Sequence, residues 1–339
     1  MTRSLIVHRT GPGTTIQDLG RTGTLIKGLS QSGAADMTAL HEGAALLGQT
    51  PDLAALELAG IGGTFEARGD IRIALSGAPM AATIEGERIA WNASHMLRNA
   101  QKLTLGNASM GNYGYLHLGG GIDTVPFLGS RSTHLVARIG SPVTKGAALP
   151  IGADPNDTTG MTLNVHNRLS GGTIRVIPSV QTAQFAAKEL TRLQNTRFTR
   201  DPRGNRMGAR MNFDGAPFEA SDQLNILSEM VVPGDIQITG DGTPFVLLYE
   251  CQTTGGYPRI ATVIPADISI VAQARAGDPI HFQFINREAA LTLHRSYHTH
   301  LKALPQAVTP LIRDPHDIRD LLSYQLVSGA INGDEEDLK

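Results

Sequence analysis

The chain has 339 residues, enough for one large domain or two medium domains with hydrophobic cores of their own. Its 29 Lys and Arg against 31 Asp and Glu give a net charge of −2, so bulk electrostatics do not favour nucleic acid as a partner. The first eight residues hold only three consecutive apolar side chains, which excludes a signal-peptide core or a membrane span there. The single cysteine, Cys251, excludes an internal disulfide and a multi-cysteine zinc site. We therefore expect a cytoplasmic protein that does not act at a membrane.

Strand signals dominate the sequence, in which 38 glycines and 18 prolines interrupt the apolar pattern every few residues. Apolar side chains alternate with period two in several segments, and one later segment is a continuous apolar run typical of a strand buried on both faces. The alternating segments are residues 71–75, 102–105, 173–177 and 235–239, and the continuous run is residues 245–249. The pattern predicts a mostly β protein with few helices.

Four helices are predicted. Asp36 can cap a helix over residues 37–47, which Gly48 ends at the position after the last turn. The other three helices are predicted at residues 182–193, at residues 265–274 beginning with a proline, and at residues 287–304, where Pro305 stops the last one.

A possible domain boundary falls at residues 151–160, which have turn chemistry and almost no apolar periodicity. The division predicts an N-terminal β-rich subdomain over residues 1–150 and a C-terminal β-barrel subdomain over residues 161–305. Residues 306–339 are then a tail.

The first cluster of chemically active residues combines Gln17, Asp18 and Arg21 in a glycine-punctuated loop, followed by Ser32 and Asp36. Glycine lets a backbone approach a ligand, and these side chains offer an amide, carboxylates, a hydroxyl and a planar cation. The alternative is a surface loop with an internal ion pair of little energetic value.

A second cluster follows the glycines at 119–121, where Arg131, Ser132 and Thr133 occupy a short polar loop. Arginine binds two oxygens at once and hydroxyls add donors, so the loop suits a carboxylate or phosphate. It is neither a phosphate-binding P-loop nor a dinucleotide fingerprint. A turn whose hydroxyls satisfy the backbone is the alternative.

Two further clusters lie in the second half of the chain. Asn205 and Arg206 belong to a basic stretch that can hold an anion or form a solvated edge strand. The other cluster leaves the apolar strand at 245–249 and enters a polar loop, a usual place for binding residues, although a decorated hairpin is the alternative. Its candidate residues are Glu250, Gln252, Thr253, Thr254, Tyr257 and Arg259.

Other chemistries lack support in the sequence. His294, His298 and His300 form the only close histidine set, and no zinc motif accompanies them. Cys251 follows an apolar run and is interpreted as a small buried hydrophobe. The metal requirement is unknown at this stage.

Taken together, the clusters resemble the family called the 5-oxoprolinase C subunit, KipA or biotin-dependent carboxyltransferase subunit 2 of the urea amidolyase and allophanate hydrolase group. The motifs that carry the resemblance are residues 17–21, 32–36, 55–58, 120–123, 129–133 and 205–208. Residues 252–261 are similar to the oxoprolinase branch. The resemblance implies a cyclophilin-like β-barrel architecture with two β-rich subdomains and a few short helices.

The resemblance also implies a function. The chain is expected to be the C subunit of an ATP-dependent 5-oxoprolinase, a hetero-oligomeric hydrolase that converts 5-oxoproline to glutamate. Its expected partners are a KipI-like B subunit and an A subunit, and ATP activates the lactam. The alternatives are a biotin-dependent carboxyltransferase subunit acting on urea or a related amide, and a KipA-like regulatory binding protein.

Site roles follow from that expectation. Asp18, Arg131 and Glu250 are the candidate catalytic residues, and the other residues of the four clusters named above are candidate substrate contacts. Arg131, Arg206 and Arg259 are candidates to neutralise phosphoryl oxygens. Asp18, Asp36 or Glu250 are candidates to hold Mg²⁺ or to orient the substrate amide.

Overall fold

The computed structural model describes residues 3–220 and 227–312, so most of the predicted tail, residues 313–339, lies outside the described residues. The described chain is mostly β, with a closed seven-stranded barrel and four α-helices. The prediction of a mostly β fold built around a barrel is confirmed.

The N-terminal part contains two sheets that pack face to face. The six-stranded sheet has the order β11-β1-β4-β9-β6-β7, and the five-stranded sheet has the order β2-β3-β10-β5-β8. The strands are β1 (Ser4–Thr10), β2 (Thr15–Gln17), β3 (Ala55–Ala59), β4 (Gly63–Arg68), β5 (Ile71–Gly77), β6 (Met80–Ile84), β7 (Glu87–Arg88), β8 (Ser94–Leu97), β9 (Lys102–Ala108), β10 (Tyr113–Leu118) and β11 (Ala148–Pro150). Apolar side chains of both sheets form one buried cluster between them.

In strand β5, both faces are buried, although the alternation of apolar side chains predicts only one buried face. Ile71, Ile73 and Leu75 face the core between the sheets, as the pattern predicts. The intervening residues are buried as well, because helix α1 (Met37–Leu47) covers the outer face of the strand. The Ser76 hydroxyl donates a hydrogen bond to the Ala39 carbonyl of that helix at 2.8 Å.

The C-terminal part is the barrel, with strand order β13-β20-β17-β18-β15-β14-β21. Parallel pairing of β21 with β13 closes it. The strands from β12 onward are β12 (Met161–Thr162), β13 (Gly172–Ile177), β14 (Phe198–Arg200), β15 (Gly208–Asn212), β16 (Glu229–Met230), β17 (Asp235–Ile238), β18 (Pro244–Leu247), β19 (Thr254–Gly255), β20 (Arg259–Val263), β21 (Pro279–Phe284) and β22 (Thr309–Pro310). Two small pairs, β12 with β22 and β16 with β19, lie outside the barrel.

Two of the four helix predictions are confirmed. The side chain of Asp36 accepts a hydrogen bond from Ala39 N at the start of α1, and Gly48 ends that helix with φ of 59°. Helix α3 (Pro265–Gln273) begins at its proline as predicted.

The second and fourth helix predictions were wrong in their bounds. Thr182–Gln184 forms only a 3₁₀ turn, because Phe185 adopts an extended conformation and is buried in the core, and α2 (Ala187–Asn195) begins after it. Helix α4 (Arg287–Ala307) continues past Pro305. A proline in the final turn removes only one helical N–H donor, and buried Leu304 holds that turn against the core.

The two parts of the chain share a hydrophobic cluster, in which Tyr113 and Tyr115 of β10 pack with barrel residues such as Ile236. The turn-rich segment 151–160 is itself anchored, since the Asp154 carboxylate pairs with Arg72 at 2.6 Å with both side chains buried. Some of the loops that carry candidate residues meet where the barrel packs against the N-terminal sheets, since Arg206 and Glu250 contact Glu57 and Ser32 there.

Candidate functional site

Asp18 joins the first two sequence clusters. Its carboxylate accepts hydrogen bonds from the hydroxyls of Ser130 and Ser132, both at 2.5 Å. The backbone N–H groups of Arg131 and Gly20 donate to it at 2.6 and 2.8 Å. Since Asp18 is buried and both its oxygens are engaged, it holds the loop at 129–133 in place.

Gln17 at the end of β2 and Arg21 in the turn after it both contact the loop at 129–133. Arg21 donates from Nη2 to the Ser132 carbonyl at 2.5 Å and from Nε to the Phe127 carbonyl at 3.1 Å. Gln17 donates from Nε2 to the Thr133 carbonyl at 3.0 Å. Arg21 Nη1 and Gln17 Oε1 are buried without a protein partner. Burial lowers the pKa of Arg21, and the carboxylates of Asp18 and Glu250 oppose that shift.

Arg206 bridges the N-terminal sheets and the barrel. Its guanidinium donates from Nε to Glu250 at 2.6 Å, from Nη1 to Glu57 of β3, and from Nη2 to the Gly33 carbonyl at 2.5 Å. Burial alone lowers the pKa of Arg206, but the charges of Glu57 and Glu250 outweigh it and raise that pKa. The cation therefore stays charged in a dry environment.

Glu57 is held by further donors. The Tyr115 hydroxyl donates to it at 2.7 Å and Ala35 N donates at 2.8 Å. Burial, followed by the nearby charge of Glu57, keeps the pKa of Tyr115 well above its usual range, so the phenol remains a donor. Neither Glu57 nor Tyr115 was predicted from the sequence to belong to the site, although residues 55–58 are one of the family motifs.

Two N-terminal loops also contact the Glu250 carboxylate. Leu135 N donates to it at 3.0 Å, and the Ser32 hydroxyl lies 3.5 Å from its Oε1. The Ser32 hydroxyl donates to the Thr133 carbonyl at 2.8 Å, and its backbone has φ of 55°, a left-handed conformation that is uncommon for serine. Residues brought together in this way form what we call the Glu250 network: Gln17, Asp18, Arg21, Ser32, Glu57, Ser132, Thr133, His134, Arg206 and Glu250.

His134 is a member of this network that the sequence clusters missed by one position. Its Nε2 lies 2.8 Å from the Ser30 hydroxyl, and its Nδ1 accepts a hydrogen bond from Ala137 N at 3.2 Å and lies 3.8 Å from Glu250. Because Nδ1 accepts a hydrogen bond, the proton of the neutral ring is on Nε2. Burial lowers the pKa of His134, so the ring is uncharged near pH 7.

A cavity of about 270 Å³ lies against the network. Glu250 and Arg206 form its polar side, and Leu135, Val136 and Met207 are among its apolar lining residues. Asn205 also lines the cavity, and its side-chain oxygen accepts a hydrogen bond from Met207 N at 2.8 Å. A small ligand with both polar and apolar surface fits such a site.

Asp36 and Arg131 lie at the edges of this arrangement. The second carboxylate oxygen of Asp36, beyond the one that caps α1, accepts from Arg168 at 2.7 Å and from Gln273 at 2.8 Å, entirely within the protein. The Arg131 guanidinium pairs with the exposed Asp123 at 2.6 Å. Both side chains have protein partners for their charges.

The candidate residues that follow Glu250 in the sequence lie on the barrel, apart from the Glu250 network. Arg259 is buried and donates to Glu229 and to the Gln181 and Met230 oxygens. Gln252 donates to Gln237 at 3.0 Å. Thr254 of β19 and Tyr257 are exposed. The Thr253 carbonyl accepts a hydrogen bond from Val231 N. Among the described contacts, none joins these side chains to the Glu250 network, so their role in substrate binding stays a prediction.

The carboxylates proposed for Mg²⁺ already have partners within the protein. Asp18 binds backbone and hydroxyl donors, while Glu250 and Asp36 are paired with Arg206 and Arg168. Within residues 3–220 and 227–312, no three His, Cys, Asp or Glu side chains form a group able to hold a metal ion. These carboxylates do not fit a resident Mg²⁺, because a hard cation requires several free oxygens.

The chain matches a known protein family. The model of the carboxyltransferase domain, subdomains A and B, matches residues 27–284. The chain therefore belongs to the carboxyltransferase subdomain A and B family. Across the described residues, no helix combines the length and the apolarity needed to cross a membrane.

Particular relatives narrow the comparison. The chain is 34% identical over 305 residues to the C subunit of 5-oxoprolinase from Escherichia coli (strain K12), with 88% of this chain and 97% of the relative covered. It is 32% identical to the C subunit of 5-oxoprolinase from Haemophilus influenzae, with 87% and 95% covered. The solved structure of the K. lactis urea amidolyase superimposes with a TM-score of 0.78 at 23% identity, which shows a shared fold; 92% of this chain and 21% of that chain are covered.

Proposed function

We propose that this chain is the C subunit of an ATP-dependent 5-oxoprolinase complex that converts 5-oxoproline to glutamate. The supporting observation is the length of the match: both relatives named as C subunits of 5-oxoprolinase align over almost their entire length, 97% and 95%. The urea amidolyase relative instead contains the matching region as 21% of a larger chain. The matched region accounts for nearly the whole of each C-subunit relative but only a fifth of the urea amidolyase chain, which favours the C-subunit role.

The chemistry explains the need for ATP and for partners. A lactam is a poor electrophile; transfer of the γ-phosphoryl group of ATP to its oxygen releases ADP and leaves a carbon with a good leaving group. Water then adds at that carbon and the ring C–N bond breaks, which leaves an acyl phosphate. A second water hydrolyses the acyl phosphate to glutamate and phosphate. We assign the hydrolytic steps to the A subunit and lactam binding to the B and C subunits together.

Within this chain, we assign the substrate to the cavity beside Glu250 and Arg206. A lactam presents one N–H donor and one C=O acceptor, and 5-oxoproline adds a carboxylate. Glu250 is an acceptor at the cavity, and Arg206 retains N–H donors beyond the three bonds to Glu250, Glu57 and Gly33. The apolar lining suits the ring methylenes.

Phosphate binding is assigned to groups of the companion subunits. Arg131, Arg206 and Arg259 are each paired with a carboxylate, so none offers the phosphates an unpaired guanidinium. Mg²⁺ would accompany ATP, and the companion subunits would supply the remaining ligands. The isolated chain is therefore expected to be inactive.

The test is co-expression of this chain with its companion subunits, followed by measurement of ATP-dependent loss of 5-oxoproline. Glu250→Gln should abolish turnover in the complex. Thr253→Val with Thr254→Val tests the candidate residues after Glu250 separately, and it should raise the KM for 5-oxoproline if their hydroxyls bind the substrate. Robust oxoproline-dependent ATP hydrolysis by the isolated chain would contradict the assignment of partners.

A carboxyltransferase acting on urea or a related amide is the second candidate, because the matching family model describes a carboxyltransferase domain. That activity requires carboxybiotin, supplied by a carrier on another chain. Carboxyl transfer to urea by the purified complex, with no consumption of 5-oxoproline, would decide for this candidate. A regulatory protein would show neither activity and would inhibit its partner.

A further inference from the structure

Two neighbouring loops beside the Glu250 network expose large apolar side chains. Ile26 and Val125 are 88% and 92% exposed, and the others are between about two fifths and three fifths exposed. We define the apolar face as Ile26, Val125, Phe127, Leu128, Leu135 and Val136. Soluble monomers rarely expose apolar side chains in such a group unless the surface binds another molecule.

The two loops are held together from beneath. Arg21 donates from Nε to the Phe127 carbonyl at 3.1 Å, and Ser30 contacts His134 at 2.8 Å. The loop at 22–29 that carries Ile26 is thus fixed to the loop at 123–140 that carries the rest of the face. Buried polar contacts lie below the surface, and apolar side chains point outward above them.

The face is also preformed. Phe127 and Ser130 exchange two backbone hydrogen bonds at 2.8 and 3.2 Å, and His134 and Ile139 exchange two at 2.8 and 3.1 Å. These tight turns fix the backbone on which the apolar side chains stand. A preformed surface loses little conformational entropy when it binds a partner.

The unpaired charges on the same loops have one sign. Lys27 and Arg138 are exposed and form no ion pair with any residue that the structure describes, whereas Asp123 is already paired with Arg131. The apolar face is therefore accompanied by unpaired positive charge. A surface that complements it is apolar and carries carboxylates.

The face adjoins the cavity. Leu135 and Val136 belong to the apolar face and also line the cavity beside Glu250 and Arg206. A molecule seated on the face would thus cover one side of the cavity and exclude water from it. Excluding water strengthens the electrostatic interactions of a site with its ligand.

We propose that the apolar face is the docking surface for a separate protein chain whose contacting side is apolar and acidic, and that docking closes the cavity over the Glu250 network. The proposal rests on the proposed function for the identity of that chain, which is a companion subunit. A second copy of this chain is a poor occupant, because a symmetric contact through this face would bring Lys27 and Arg138 against like charges.

The experiment measures binding of the purified full-length chain to each companion subunit by titration calorimetry. Val125→Asp with Val136→Asp should weaken binding by about tenfold or more, because charged side chains replace apolar contacts of the face. Lys27→Glu with Arg138→Glu should weaken it as well and should reduce its dependence on salt. Val180→Asp with Lys188→Glu, exposed on another surface, is the matched control and should bind as the unchanged chain does.

The outcomes separate this proposal from the proposed function. Loss of binding in the two face variants alone supports the docking surface, even if the complex does not consume 5-oxoproline. Unchanged binding of the face variants, or no binding by the unchanged chain, overturns it, whatever the activity of the complex. Sedimentation velocity of the chain alone gives the remaining outcome: a dimer that the face variants dissociate would make the face a self-interface and overturn the proposal.

Discussion

At Arg206, two carboxylates from distant parts of the chain share one guanidinium. Glu57 lies in β3 of the N-terminal sheets and Glu250 follows β18 of the barrel, and both are almost fully buried. A buried ion pair adds little net stability compared with an apolar core, but removing one partner leaves uncompensated charge. The network thus links the two parts through a buried cation whose removal is costly.

Replacement of Arg206 by methionine should lower the free energy of unfolding by about 3–5 kcal/mol, because Glu57 and Glu250 are then buried without their cation. Denaturant unfolding measures this loss. Arg98→Met is the control, since Arg98 and its partner Asp70 are 63% and 50% exposed, and it should change stability by less than about 1 kcal/mol. Equal effects of the two substitutions would show that Arg206 is not held as the structure describes.

His134 gives the stability a dependence on pH. Its pKa is lowered in the folded protein by burial first, with the cations Arg21 and Arg206 acting in the same direction and Glu250 opposing them. Below about pH 6.5 the unfolded chain binds a proton that the folded chain does not, so the stability should fall as the pH decreases from 7.5 to 5.5. His134→Gln should reduce that decrease, measured by denaturant unfolding at both pH values.

The control for this pH effect is His281→Gln, at an exposed position of β21. It should leave the difference between pH 7.5 and 5.5 unchanged. The same decrease in the His134 variant and in the unchanged chain would contradict the buried, uncharged state of this histidine.

The sequence predicted part of the site at the level of residues. Glycine-rich loops and polar residues after apolar strands pointed to Asp18, Arg21, Arg206 and Glu250, which the structure brings together. The sequence did not predict that Ser32 contacts Glu250, because the two residues are 218 positions apart and no local pattern encodes that contact. Glu57 was missed as a site residue for a similar reason, since its cation lies 149 residues away.

Among the elements, helix α1 was predicted best. Asp36 and Gly48 fix the ends of α1 by local hydrogen bonds, which a sequence pattern can reveal. The start of α2 depends instead on burial of Phe185, and the extent of α4 depends on Leu304, both long-range packing effects. Tertiary contacts therefore decided the bounds that sequence reasoning predicted wrongly.

Gly43 in α1 provides a test of packing at the scale of one helix. In an exposed helix, replacing glycine by alanine stabilises by about 1 kcal/mol. Here an added Cβ would lie 2.1 Å from the His117 ring, which the Ser76 hydroxyl holds at 2.8 Å. Gly43→Ala should therefore destabilise the protein, measured by thermal unfolding.

A double-mutant cycle provides the control for Gly43. In a His117→Ala background the ring is absent, so the loss caused by Gly43→Ala should shrink or reverse. An equal loss in both backgrounds would mean that the helix is not limited by this contact with β10.

For the whole molecule, the division into N-terminal sheets and C-terminal barrel stays a prediction, since the two parts also share a hydrophobic cluster and the Glu250 network. Strand periodicity indicated a β protein, and the resemblance supplied the barrel. Neither could show how the parts pack, because that arrangement depends on buried polar contacts between residues more than a hundred positions apart.

Gln273 at the end of α3 is one such contact. Its amide donates to Asp36 and to the Tyr113 carbonyl, both at 2.8 Å, and its oxygen accepts from Asn112 N and Tyr113 N, both at 2.9 Å. Replacing it by leucine retains most of the volume but leaves buried backbone groups of the N-terminal part without partners, at about 1–3 kcal/mol each.

Gln273→Leu should therefore weaken the coupling between the two parts of the molecule. The single tryptophan, Trp91, donates to the Gly77 carbonyl and so reports on the N-terminal sheets, whereas circular dichroism reports on the whole chain. In the unchanged protein the two unfolding curves should coincide, and in the variant they should separate, because the parts then unfold at different denaturant concentrations. Gln283→Leu, at an exposed position of β21, should keep the curves together. Coincident curves with an unchanged midpoint for Gln273→Leu would show that this side chain does not hold the barrel to the sheets.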